Sequence, residues 1–167
     1  CALTKECQSP ENAAFFTQLE IMEILNLTKA TTLFMIKSWK SDQSNIKLLI
    51  NICETYDAII YTSNSLNVTA PYKHAIEAYG FIVTHQQASD SQKIEALETS
   101  IAYKIWDIGT QNATWYDSLK KDYDQLAKLT QQDELITEAT CLFSFWEENK
   151  QILDMPYRRY ILENATK

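Results

Sequence analysis

Four cysteines, two histidines and four N-x-T triplets are the residues of this chain whose types and spacing could carry chemistry. Cys1, Cys7, Cys53 and Cys141 form an even set, as disulfide pairing in an oxidising compartment requires. Four cysteines allow three connectivities. Either Cys1 and Cys7 tie the N-terminal segment onto the helices that carry Cys53 and Cys141, or Cys1 pairs with Cys7 and Cys53 with Cys141. Asn26-Leu27-Thr28, Asn67-Val68-Thr69, Asn112-Ala113-Thr114 and Asn164-Ala165-Thr166 are acceptors for N-linked glycans. With 9 Asn and 27 Ser plus Thr in 167 residues, chance supplies about 1.5 such triplets. Four of them, each placed between helical patterns where a glycan would be exposed, predict modification at Asn26, Asn67, Asn112 and Asn164. A start at Cys1 reads as a mature chain after signal-peptide removal. The expected setting is secreted and extracellular.

Catalytic constellations are absent or weak. His74 and His85 stand eleven residues apart, more than two helical turns, and cannot share a metal as H-x-x-x-H does. Both are expected to be surface residues. Glu147 and Glu148 are adjacent and diverge on a helix, unlike a working carboxylate pair. Gly80 and Gly109, the only 2 glycines, exclude every glycine-rich phosphate loop. No serine sits in G-x-S-x-G. The sequence therefore predicts no catalytic residue, no metal, no cofactor and no enzymatic activity. The 4 Trp and 9 Tyr stand mostly at helical spacing and read as core more than as a ligand pocket. Trp115 is the exception, expected to be exposed at a corner beside the Asn112 sequon.

The elements that must position these residues are helices. Turn formers are too scarce for an all-β sandwich, and 46% hydrophobic residues over 167 positions suit a single all-α domain spanning 1–167. Net charge is −7, with Arg158 and Arg159 the only arginines, which argues against nucleic acid. No stretch is apolar enough for membrane insertion. Ser9 and Pro10 open a first helix through Phe15, Leu19, Met22 and Leu25. A loop then carries the Asn26 sequon, and a short helix covers 33–40. Residues 46–61 are apolar around nearly the whole circumference, so this helix belongs in the centre of the core. Further helices are expected over 72–83, from a Ser89-Asp90-Ser91 cap to Gly109, over 115–129, and over 133–153, with a turn or two after Pro156. The result is a disulfide-linked bundle of six to seven helices around an apolar central one.

Thr31-Thr32-Leu33-Phe34-Met35-Ile36-Lys37-Ser38-Trp39-Lys40, a polar turn and the helix over 46–60 resemble the second and third helices of interferon-gamma. Residues 121–129 with the acid-capped helix from Asp133 are similar to that family's last two helices, and 91–105 to the one before. About half of the chain is covered, in three blocks. The resemblance places the chain in the interferon-gamma and interleukin-10 class of helical cytokines, as a divergent relative or a pathogen-encoded mimic. It implies receptor binding by the first helix and the loop after it, near Lys29 and Lys37, and self-association into an intertwined homodimer. The chain departs from the family in being acidic, in the helix over 72–83, which stands as an insertion, and in lacking a basic tail.

The expected function is immune modulation through a cell-surface receptor or another secreted host protein. The alternatives are a secreted helical carrier of a small hydrophobic ligand, and a secreted helical inhibitor or decoy. Protein interfaces favour exposed aromatics and Arg. Tyr157, Arg158, Arg159 and Tyr160 are the one segment where this chain combines them, and with Lys29 and Lys37 they are the candidate partner-binding residues.

Overall fold

The computed structural model describes residues 17–109 and 115–134, together with positions 137 and 141. The described residues are all-helical, with five helices and no strand: α1 (Gln18–Ser41), α2 (Ile46–Ser65), α3 (Tyr72–Thr84), α4 (Asp90–Gly109) and α5 (Tyr116–Thr130). They fall into two compact units, Cys1–Gln87 and Ala88–Lys167.

In the first unit, α1 replaces the two helices expected on either side of Asn26. It starts at Thr17, whose hydroxyl accepts the Glu20 N–H while the Glu20 carboxylate accepts the Thr17 N–H, a capping box. No Gly or Pro interrupts it, so 24 residues run through the sequon. Its buried stripe is Leu25, Thr28, Thr32, Ile36 and Trp39. The two threonines tolerate burial because their hydroxyls donate to the carbonyls of Ile24 (2.8 Å) and Thr28 (2.7 Å). The expected first-helix start at Ser9 and Pro10 lies outside the described residues.

Asp42 and Asn45 make the turn into α2. Asp42 accepts from the Ser44 backbone and hydroxyl, and Asn45 caps α2 by accepting from the Leu48 N–H at 3.0 Å. Helix α2 packs against both α1 and α3. Leu49, Ile52 and Ile59 are fully buried on it, with Cys53 and Tyr56 almost so. It is central to its unit without being enclosed, since Lys47, Asn51, Glu54 and Ser65 are exposed and Tyr61 is 58% exposed. Two residues past the end of the helix, Asn67 takes a left-handed φ of 54° while the Val68 N–H reaches back to the Ser63 carbonyl. Helix α3 is locked to α2 by Tyr79, whose hydroxyl donates to Asp57 at 2.6 Å, and by Asn64 bonding the Tyr72 hydroxyl.

In the second unit, Ser89 and Gln92 form the reciprocal cap that starts α4. Helices α4 and α5 pack together, with Leu97, Ile101 and Ile108 buried on the first and Leu119, Tyr123 and Leu126 on the second. Helix α5 ends at Gln131 with φ 56°. The helix expected over 133–153 lies outside the described residues except for Asp133, Glu134, Thr137 and Cys141. Among the described residues five helices stand, against the six to seven expected of the chain, and the first two expected helices are fused into one.

Ile52→Asp or Ile59→Asp should each abolish recovery of folded protein, because a buried carboxylate without a partner costs more than ~4 kcal/mol. Lys47→Asp and Glu54→Asp, on the outward face, should be recovered and melt like the parent. Yield of soluble protein and thermal unfolding check this.

Candidate functional site

Lys29 and Lys37, expected together at a partner surface, are not brought together. They lie eight positions apart on α1, about 80° around its axis and about 12 Å along it. Lys29 is half-buried and its ammonium donates to the Thr69 carbonyl at 3.3 Å, whereas Lys37 is exposed. Tyr157, Arg158, Arg159 and Tyr160 lie outside the described residues.

The Lys29–Thr69 bond has a second consequence. Asn26 is one turn from Lys29 on α1, and Thr69 closes the Asn67 sequon, so the two sequons share one end of the first unit. Asn26 and Asn67 are both exposed. Each triplet also does structural work. Thr28 is 6% exposed with its hydroxyl bonded into the helix, and Asn67 supplies the left-handed residue that stops α2. Asn26 is thus mid-helix, not in the expected loop. With Thr28 sequestered, its sequon is open to modification only before α1 forms. Asn112 and Asn164 lie outside the described residues.

The disulfide linkage expected at Cys53 and Cys141 is not found; both carry free thiols. Cys53 is buried on α2, and burial, with Asp57 and then Glu54 nearby, pushes its thiol far above the usual range. It behaves as a small apolar side chain. Cys141, expected near the core, is exposed. Cys1 and Cys7 lie outside the described residues. The Tyr56 hydroxyl, beside Cys53, is likewise pushed up to about 12 by burial and the neighbouring Glu77 and Cys53.

Both histidines engage neighbours. The His74 ring lies parallel to Tyr56, centroids 6.5 Å apart, although the residue is exposed as expected. His85 is half-buried and more constrained. Its Nδ1 accepts from the Gln87 N–H at 3.1 Å, and its Nε2 therefore carries the proton it donates to the Gln43 carbonyl at 2.7 Å. The ring staples the turn after α1 to the end of α3, beside Trp39 and Phe81, whose centroids lie 4.9 Å apart.

The second unit contains a buried polar cluster that the sequence reading missed. Lys104 and Asp107, 6% and 9% exposed, extend the apolar stripe of α4. Lys104 forms an ion pair with Asp122 on α5 and lies over the Trp115 ring, 5.6 Å from its centroid. The Trp115 indole N–H donates to Asp107 at 2.5 Å, so Trp115 is half-buried and not the exposed corner expected. The available signal was Lys104 itself, a charge three residues after Ile101 on an otherwise apolar face. Burial raises the Asp122 carboxyl above its usual range against the opposing influence of Lys104. The cluster joins two helices and positions an indole; each charge is consumed by its neighbour. Among the described residues, no group of three or more His, Cys, Asp or Glu could hold a metal ion, and no helix is long and apolar enough to cross a membrane.

Comparisons with protein-family models, with curated proteins and with solved structures return no match.

Two outcomes are expected of these sites. An alkylating agent should label Cys141 in the folded protein and Cys53 only after denaturation, as read by peptide mass spectrometry. For the ion pair, Lys104→Met should cost about 3–5 kcal/mol at neutral pH by leaving Asp122 buried alone, and adding Asp122→Leu should recover most of it. The raised Asp122 binds its proton more tightly folded than unfolded. Its contribution is therefore complete below the unfolded pKa and lost as pH rises through the folded one. Lys104→Met removes what opposes that rise, so between pH 7 and 4 the variant should gain on the parent as pH falls. Urea unfolding across that range measures both effects.

Proposed function

We propose that this protein is a secreted, glycosylated, cytokine-like helical protein that binds a cell-surface receptor or another host protein and performs no chemical turnover. The observation that carries the reading is the set of four N-x-T sequons on an acidic all-helical chain, two of them placed on exposed asparagines at one end of the first unit. Glycans at Asn26 and Asn67 would close that end to partners, Lys29 included. The interferon-gamma likeness of residues 31–60 remains a likeness of sequence, and the segment matched to a second helix is the last part of α1.

The partner surface in this reading is Tyr157 to Tyr160, with the arginines as the charged anchors. The glycosylated protein, used as bait on cell-surface extract, should capture a receptor ectodomain and trigger phosphorylation in receptor-bearing cells. Arg158→Ala with Arg159→Ala should weaken that binding about thirtyfold, some 2 kcal/mol, with folding unchanged. Binding without phosphorylation would make the protein an inhibitor or decoy. Displacement of a fluorescent lipid, with no receptor captured, would make it a carrier.

A further inference from the structure

Glu23, Leu27, Ala30, Phe34, Lys37 and Ser41 stand along the outer side of α1 at alternating spacings of four and three, the repeat of a helix-pairing seam. All six are exposed, and Leu27 and Phe34 are each 70% exposed. A single exposed Leu or Phe needs no explanation. Here two occur on one seam, separated by a small residue and bracketed by opposite charges. Neither Glu23 nor Lys37 has an ion-pair partner among the described residues, whereas Lys40 on the same helix is paired with Glu77 at 2.6 Å.

We propose that this seam docks a second copy of the chain, α1 against α1, antiparallel about a two-fold axis at Ala30. The charges choose the direction. Glu23 and Lys37 each lie seven positions from Ala30. An antiparallel pair therefore sets Glu23 against Lys37 of the second copy, twice by symmetry. A parallel pair would set Glu23 against Glu23 and Lys37 against Lys37. Leu27 and Phe34, three and four positions from Ala30, then meet each other twice, and alanine at the crossing lets the two backbones approach. From Glu23 to Lys37, its symmetric extent about Ala30, the contact runs about 21 Å at 1.5 Å per residue.

Asn26 flanks the seam beside Leu27, so a glycan there would stand between the two helices. In this one respect the inference rests on the proposed glycosylation: the chain pairs when Asn26 is unmodified and stays monomeric when it is modified. Because Thr28 is sequestered once α1 forms, the state of Asn26 is set before folding and does not change afterwards.

The test is sedimentation velocity on the full chain, secreted as Asn26→Gln, from 1 to ~300 μM. A concentration-dependent dimer is expected. Phe34→Glu should abolish it. Glu23→Lys and Lys37→Glu should each weaken it about tenfold, and the two together should restore it to within about threefold. Circular dichroism and melting temperature should be unchanged in the two charge variants, which keeps the test valid even if Phe34→Glu folds poorly. A monomer throughout the range would overturn the proposal. So would a dimer indifferent to the single reversals, or one that the double reversal fails to restore.

Discussion

Helix α2 has more apolar surface than one neighbour can cover, and the rest of the first unit follows from that. Leu49, Ile52, Cys53, Tyr56, Ile59 and Ile60 are all buried on it, and at about 1.5–3 kcal/mol for each large side chain removed from water no other element of the unit contributes as much. One face requires α1 and the other α3, which is why both helices lie against α2 and why the connections on either side of it are short. The polar links are chosen to be compatible with that burial. Tyr79 to Asp57 and Asn64 to Tyr72 sit at its margins, where a hydrogen bond fixes register at little desolvation cost. The Tyr56 and Ser63 hydroxyls, buried without a hydrogen-bond partner, are the departures from this economy.

The second unit solves a smaller problem differently. Helices α4 and α5 bury few large apolar side chains, and they add Lys104, Asp122, Asp107 and Trp115 to the contact. An ion pair of this kind contributes little net stability over an apolar pair of the same shape, because desolvation offsets the Coulomb gain. What it does supply is selectivity of alignment: any other register of α4 on α5 would strand a charge.

Helix α1 carries two stripes with opposite duties. The inner one is completed by threonines whose hydroxyls turn inward to their own helix, and the outer one presents leucine and phenylalanine to solvent. The Asn26 sequon ties them together, since its asparagine belongs to the outer side and its threonine to the inner. A glycan added at Asn26 and the folding of this helix would compete for the same residue, Thr28.

Several features were legible in the sequence because they depend on local chemistry. The all-helical class follows from the scarcity of Gly and Pro. The position of α3, the Ser89 cap, the end of α4 at Gly109 and the centrality of α2 follow from apolar periodicity and turn residues. The capping box at Thr17 and Glu20 was equally local, but Ser9-Pro10 competed with it. Continuity through Asn26 was hidden because Thr28 and Thr32 occupy core positions. A threonine counts as apolar only once its hydroxyl is seen bonded to the preceding turn. Tertiary structure alone decided the remainder. That Lys104 faces Asp122 across 18 residues, that His85 reaches Gln43 across 42, and that Lys29 reaches the Thr69 carbonyl across 40 are contacts between distant segments. No spacing rule encodes them, because they arise only when the burial of α2 and of the α4–α5 face fixes where each helix lies.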